Sequence, residues 1–286
     1  MGKDTQKFDK YEKNYNTQDV VSFASICYFC KVLGIIAYMK ITVIGGGAMG
    51  GAVARGVAAL HSVTLSTPHP DETPIDGVRA INDNRLAVSD ADLVVVAVKP
   101  WVLPDVISEI APVLPAGVEL SVIVAGVKAD DLMDMLGGYA PAAVSIAMPN
   151  TAMAVGESMT FLTAVEGSPE RAMELFGSLG RVEVIEERLL PGATALASCG
   201  IAYALRYVRA ATEGGVELGF KAAEAQRIVA QTIRGAAALL SKPGAHAEAE
   251  IDKVTTPGGI TIKGLNAMEK AGFTNAVIEG LKASAK

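Results

Sequence analysis

Ile41-Thr42-Val43-Ile44-Gly45-Gly46-Gly47-Ala48-Met49-Gly50 is the stretch that decides the fold of this chain. Four residues suited to a buried strand run directly into G-x-G-x-x-G at Gly45, Gly47 and Gly50. Small and apolar residues then recur at helical spacing through Val53, Val57 and Leu60. The order is strand, tight turn, helix start. Gly45 lets the chain turn, Gly47 lets backbone approach a ligand, and Gly50 lets the helix lie close to the strand. The free N–H groups and the positive end of the helix then face the phosphates of a dinucleotide. A bare glycine pattern also fits an ordinary βα turn, and it is the strand before and the helix after that favour dinucleotide binding.

Working outward, a second strand is expected over Ser62 to Ser66, followed by Thr67-Pro68-His69. A site specific for NAD carries Asp or Glu here, about 20 residues past the first glycine, to hold the ribose 2′-OH. This chain offers Ser66 and Thr67 instead. An acidic group would repel a 2′-phosphate, so its absence points towards NADPH, with NADH as the alternative donor. Asp71 and Glu72 lie a few residues further on.

Ala91 to Pro100 is a continuous apolar run closed by Lys99-Pro100, as expected of a strand buried on both faces. Ligands of open α/β sheets sit beyond the carboxyl ends of the strands, which places Ala97, Val98, Lys99 and Pro100 over the cofactor. Leu120 to Val124 repeats the pattern and ends in Ala125-Gly126, whose small side chains leave room for a flat ring. Val144 to Met148 follows and ends in Pro149-Asn150-Thr151; Ser158 to Thr163 and Val182 to Ile185 complete the expected sheet.

From Pro191-Gly192 onward the reading is helical. Ala193 to Leu218 and Ala222 to Leu240 are long helices, and a short acidic helix precedes Val254. Then comes Thr255-Thr256-Pro257-Gly258-Gly259-Ile260-Thr261. Thr256 is expected to N-cap the next helix with Pro257 at its first position, giving a second glycine-rich helix start that can take an anion. The other reading of this segment is an ordinary capped helix.

Composition narrows the function. Of the 286 residues half are hydrophobic and a fifth charged, with a formal net charge of -6 and no basic block, which gives no reason to expect nucleic acid as a partner. Three cysteines (Cys27, Cys30, Cys199) cannot build a disulfide framework, and a cytoplasmic location is expected. The three histidines, His61, His69 and His246, are scattered without ligand spacing, so no metal is expected. Residues 1–38 read as an extension outside the fold. Met1 to Asp19 is polar and aperiodic, and the apolar stretch to Tyr38 carries Lys31, which argues against a membrane span. Cys27 and Cys30 have the C-x-x-C spacing, but no second pair or thioredoxin-like pattern surrounds them. Met39 reads as the start of the folded domain.

From Met39 to Lys286 the chain resembles the pyrroline-5-carboxylate reductase family. VIGGGAMGGA, ADLVVVAVKP, AMPNTA and VTTPGGITIKGLNAMEKAGF carry the resemblance in order, with the helix containing QTIRGAA as a fifth element. The last long stretch is the most specific. The resemblance implies a Rossmann-like NADP(H)-binding domain over residues 39–190 and an all-α dimerisation and substrate domain over 191–286. It implies a homodimer, with larger rings of dimers, in which a partner subunit completes the substrate site. The cofactor residues it carries over are Gly47, Ala48, Met49, Ser66, Asn84, Ala97, Lys99, Pro100 and Asn150. The substrate carboxylate would meet the turn of Thr255, Thr256, Pro257, Gly258 and Gly259, and the catalytic hydroxyl of Thr261 would approach the imine nitrogen. The implied reaction is reduction of pyrroline-5-carboxylate to proline, the last step of proline biosynthesis.

Two segments depart from the family. Its S-G-S-G-P-A-Y appears as Ala197-Ser198-Cys199-Gly200-Ile201-Ala202-Tyr203, and its M-P-N-T-P ends in Ala152. The nearest alternative enzyme is a 3-hydroxyacid dehydrogenase, but that class uses a lysine on the first long helix, and Ala193 to Phe220 offers only Arg206 and Arg209. A catalytically silent NADP(H)-binding sensor or assembly protein is the alternative from another class.

Overall fold

The computed structural model describes residues 38–72 and 74–285. Apart from Tyr38, the expectations attached to residues 1–38, including those for Cys27 and Cys30, lie outside them. Eight strands form one sheet: β1 (Lys40–Ile44), β2 (Ser62–Ser66), β3 (Val78–Ile81), β4 (Leu93–Val96), β5 (Glu119–Val122), β6 (Ala143–Met148), β7 (Ser158–Glu166) and β8 (Gly180–Val184), in the order β3-β2-β1-β4-β5-β6-β7-β8. All neighbours are parallel except β6 and β7, which are antiparallel. The fold is Rossmann-like, and its strand order turns at β1 and β4, on either side of which ligands of such sheets bind.

Alternation along the strands sorts the core onto two faces. In β4, Val94 and Val96 pack on one side with α3 (Leu103–Ile110) and α4 (Ala129–Leu136). Leu93 and Val95 pack on the other with α1 (Ala48–Val57) and α5 (Glu170–Gly177). A run of apolar residues is therefore what a central strand between two helical layers requires. The short helix α2 (Asn84–Val88) lies between β3 and β4 and packs on β2 and on α3. Glu119, buried at the start of β5, accepts the backbone N–H groups of Arg171 at 3.0 Å and Ala172 at 3.1 Å, and so closes the start of α5 from a neighbouring strand.

After β8 the chain is helical. The short α6 (Leu190–Ala193) passes through a π turn at Thr194–Cys199 into α7 (Gly200–Glu217). Then come α8 (Ala222–Leu240), α9 (Ala247–Val254), α10 (Ile260–Lys270) and α11 (Phe273–Ser284). Among these last five helices only Ala225 is buried. Leu205, Leu218, Phe220, Val254 and Ile260 are all at least half exposed, and Ile260 reaches 87%. A helical region that leaves this much apolar surface in water presents a face for another molecule. No helix among the described residues is long and apolar enough to cross a membrane.

Three expectations change. β3 was not expected; its four residues are at most half-buried at the sheet edge and carry no apolar run. β7 continues to Glu166 and runs antiparallel to β6. Thr256 does not cap α10 and Pro257 is not its first residue. Gly259 N–H donates to the Thr256 carbonyl at 2.9 Å and Gly258 has φ +72°, so Thr256 to Gly259 form a turn of type II pattern, with Pro second and Gly third. The left-handed residue stops the helix from beginning at Pro257, and Gly259 becomes its N-cap.

Candidate active site

The glycine turn at Gly45 to Gly50 is built from backbone. Gly45 has φ +108°, and a Cβ there would lie 2.6 Å from the Ala97 carbonyl oxygen, so the conformation and the space both demand glycine. A Cβ on Gly50 would collide with the Gly45 carbonyl, which sets the close approach of α1 to the strand end. Gly47 differs: it is exposed, and a Cβ would meet nothing within 4 Å. Gly47 is the N-cap of α1, no side chain caps that helix, and its first turn carries no acidic residue. Ala48 is exposed and Met49 half-buried at the same helix start. The turn is therefore an open, unneutralised helix N-terminus of the kind that binds pyrophosphate, and it fits a dinucleotide.

Ser66 ends β2 beside this turn; it is level with Ile44, and its carbonyl accepts the Gly45 N–H at 2.8 Å. Its hydroxyl donates to Asn84 Oδ1 at 2.7 Å, and Asn84 Nδ2 donates to Glu109 Oε2 at 2.8 Å. Thr67 is buried, with its hydroxyl 2.8 Å from where a Gly46 Cβ would stand, so it supports the turn from beneath. Ala97 and Val98 are half-buried just past β4, and Lys99 and Pro100 are exposed beyond them. These residues gather around the phosphate turn at the carboxyl end of β1, β2 and β4.

Farther along the same edge lies a cleft of about 590 Å³, lined by Ala125, Gly126, Lys128, Met148, Glu187 and Thr194 among others. Its walls come from both halves of the molecule. Glu187 Oε1 accepts the Ala129 N–H at 2.8 Å, tying the start of α4 to the turn before α6. Ser198 Oγ donates to the Pro149 carbonyl at 3.0 Å, and Asn150 Nδ2 donates to the Ala197 carbonyl at 3.4 Å. Asn150 Oδ1 also accepts the Ala152 N–H at 3.0 Å. The buried Asn150 amide thus holds the π turn against the end of β6, beside the cleft and not in its lining. The altered segment at Ala197 to Ile201 is where this docking occurs, with Cys199 half-buried within it.

The turn of Thr255 to Gly259 stands apart. Thr255 Oγ1 donates to the Asp252 carbonyl at 3.2 Å, and Thr256, Pro257 and Gly258 are exposed. Beyond the Gly259 N-cap no side chain caps α10, so the first N–H groups of Ile260, Thr261 and Ile262 are open to an anion. Thr261 is exposed in the first turn of this helix. None of residues 255–261 lines the 590 Å³ cleft. Glu109 and Glu187 were not singled out from the sequence, since neither belongs to a motif and each reaches its partner only through the packing of separate helices.

The sheet, its open glycine turn and the helices that follow define a nicotinamide-dinucleotide oxidoreductase with a helical dimerisation domain. Residues 187–286 match the family described as pyrroline-5-carboxylate reductase dimerisation, and residues 40–137 match NADP oxidoreductase, coenzyme F420-dependent. Pyrroline-5-carboxylate reductase 2 of Dictyostelium discoideum is 32% identical, over 86% of this chain and 91% of that protein. Pyrroline-5-carboxylate reductase 1 of the same organism is 38% identical over 85% of this chain; the chain spans about half of that protein's length, 48%. The crystal structure of Plasmodium falciparum pyrroline carboxylate reductase with NADP bound superposes with a TM-score of 0.79 at 27% identity, covering 86% of this chain and 95% of that one. The chain belongs to the pyrroline-5-carboxylate reductase family.

Proposed function

We propose that this protein reduces pyrroline-5-carboxylate to proline with NAD(P)H, the last step of proline biosynthesis. The observation that carries the reading is the pair of open helix starts on one chain of this family, at Gly47–Ala48 on the sheet and at Gly259–Ile260 on the helices. Residues 39–190 form the cofactor domain and 191–286 the dimerisation and substrate domain, with residues 1–38 outside both. Gly45, Gly47, Ala48, Met49 and Gly50 hold the pyrophosphate. Ser66, Thr67 and Asn84 face the ribose 2′ position, and Ala97, Val98, Lys99 and Pro100 flank the cofactor. Ala125 and Asn150 border the nicotinamide end.

When bound, the reduced nicotinamide supplies a hydride to the imine carbon; the C=N electron pair moves to nitrogen, which keeps its proton as the ring N–H. The protein supplies alignment and charge. The open N–H groups at the start of α10, with the turn from Thr255 to Gly259, hold the substrate carboxylate. The protonated imine N–H donates to Thr261 Oγ1, which orients the ring without a strong general acid. A second copy covers the exposed helical face and brings its turn to the cleft, as a homodimer and in rings of such dimers, in the cytoplasm.

The test is nicotinamide absorbance with the purified chain. Oxidation of NADPH that depends on pyrroline-5-carboxylate is the expected result. Reduction of NAD(P) by a 3-hydroxyacid would support the alternative dehydrogenase, and cofactor binding without turnover the silent sensor. Cofactor choice can be probed at Ser66: Ser66→Asp should weaken NADPH about tenfold or more beyond its effect on NADH, since it sets a carboxylate beside the 2′-phosphate. Equal losses for the two cofactors, measured by titration, would show that this position does not read the 2′ group.

A further inference from the structure

The hydrogen bonds behind Ser66 have a direction, and the direction bears on cofactor choice. Glu109 is a carboxylate with no proton to give, so the Asn84 group facing it at 2.8 Å is the amide NH₂. That turns Asn84 Oδ1 towards Ser66, and the hydroxyl spends its one proton on it at 2.7 Å. At Ser66 the groups left for a ligand are oxygen lone pairs, while Asn84 keeps the one amide N–H that it does not give to Glu109. A ribose 2′-hydroxyl can donate to a lone pair. A 2′-phosphate has only acceptor oxygens, and it also meets the charge of Glu109 one amide behind.

Neither the side-chain cap of α2 nor the buried face of α3 is made by Asn84 or Glu109. The cap of α2 is Asp83, whose side chain accepts the Leu86 N–H at 2.8 Å. The packing of α3 is supplied by Leu103, Val106, Ile107 and Ile110, all buried. The relay from Glu109 through Asn84 to Ser66 thus stands in addition to the packing.

We infer that Glu109 is a selectivity-setting positioning residue. Through Asn84 it presents Ser66 to the cofactor as an acceptor, which favours NADH and holds down the NADPH preference that follows from the missing acidic residue at position 66. The inference rests on the reading that the Gly45–Gly50 turn holds a nicotinamide dinucleotide.

The experiment titrates NADPH and NADH by calorimetry into the full chain as wild type, Glu109→Gln and Glu109→Ala. Glutamine can turn its own NH₂ towards Asn84, which reverses the relay and releases the Ser66 proton. In both variants the Kd for NADH divided by that for NADPH should rise about tenfold, the scale of one like charge removed at this range in a partly solvated site. A purely structural Glu109 would shift both cofactors together, and a ratio unchanged within about twofold, far below that expectation, overturns the inference. Wild-type protein that binds neither cofactor overturns the dinucleotide reading and this inference with it. Should the Glu109 variants fail to fold, Ser66→Ala carries the test, because loss of an acceptor must weaken NADH more than NADPH; the reverse order refutes the relay.

Discussion

Thr261→Val is expected to lower turnover of pyrroline-5-carboxylate by roughly 30- to 1000-fold, the equivalent of about 2–4 kcal/mol for a bond strengthened in the transition state of a closed site. The substitution keeps the β-branched shape and removes the hydroxyl alone. Thr261 is exposed on a helix that buries no residue in the protomer, so the melting temperature should barely move. NADPH affinity should hold as well, because the phosphate turn is on the sheet half. Thr261→Ser restores the hydroxyl and should recover most of the rate. Steady-state kinetics with both variants checks this; a loss for Thr261→Val of no more than about threefold, under ~1 kcal/mol, would falsify the hydrogen bond to the imine. The open helix start at Gly259 would then hold the substrate by its carboxylate alone.

The second large effect separates two glycines of one motif. Gly45→Ala should weaken NADPH by about 100-fold or more, since a Cβ would press on the Ala97 backbone, 2.6 Å from the oxygen and 2.9 Å from the carbon. Backbone at the end of a central strand cannot yield as a side-chain end does, and alanine at φ +108° adds strain of roughly 1–3 kcal/mol. The melting temperature should therefore fall together with affinity. Gly47→Ala should leave the melting temperature almost unchanged, because its Cβ enters open space. It should still weaken NADPH, because that open space is where the proposed site would receive the pyrophosphate. Calorimetric titration paired with thermal melts distinguishes the two, and full NADPH affinity in the Gly45→Ala protein would remove the phosphate turn from the account.

The central strands were readable because burial on both faces favours apolar runs; β4 is unbroken, and the others keep most of theirs around Thr42 in β1, Ser121 in β5 and Ser145 in β6. β3 was not, since an edge strand of four half-exposed residues has neither a run nor an alternation to recognise. The direction of β7 depends on which neighbour it finds, and no residue within it records that. The glycine turn at Gly45 was legible because its residues are contiguous, and Gly45 and Gly50 each have a steric reason. The start of α10 was legible only in part. Thr256-Pro257 satisfies the local preferences of a helix start, but it equally satisfies a type II turn, and the positive φ of Gly258 selects the turn. The π turn at Thr194–Cys199 shifts the hydrogen-bond register, and the contacts that accompany it run from Ser198 and Ala197 to Pro149 and Asn150, almost fifty residues away. Glu109 escaped for a similar reason: it lies 25 residues from Asn84, on a helix whose own pattern explains it as an ordinary half-buried position.

The exposed helical face gives the protein's stability an unusual dependence. Helices α7 to α11 bury a single residue, Ala225, within the protomer, so little of their ordering is repaid inside one chain. If the proposed second copy covers that face, the apolar contacts that hold the helices together belong to an association equilibrium. Their contribution then scales with the logarithm of protein concentration, as for any partner that binds only the folded form. The sheet half, with its own two-faced core, has no such dependence. Dilution would therefore act on this molecule as a denaturant of one half, removing the turn at Thr255 to Gly259 while leaving the glycine turn at Gly45 to Gly50 in place.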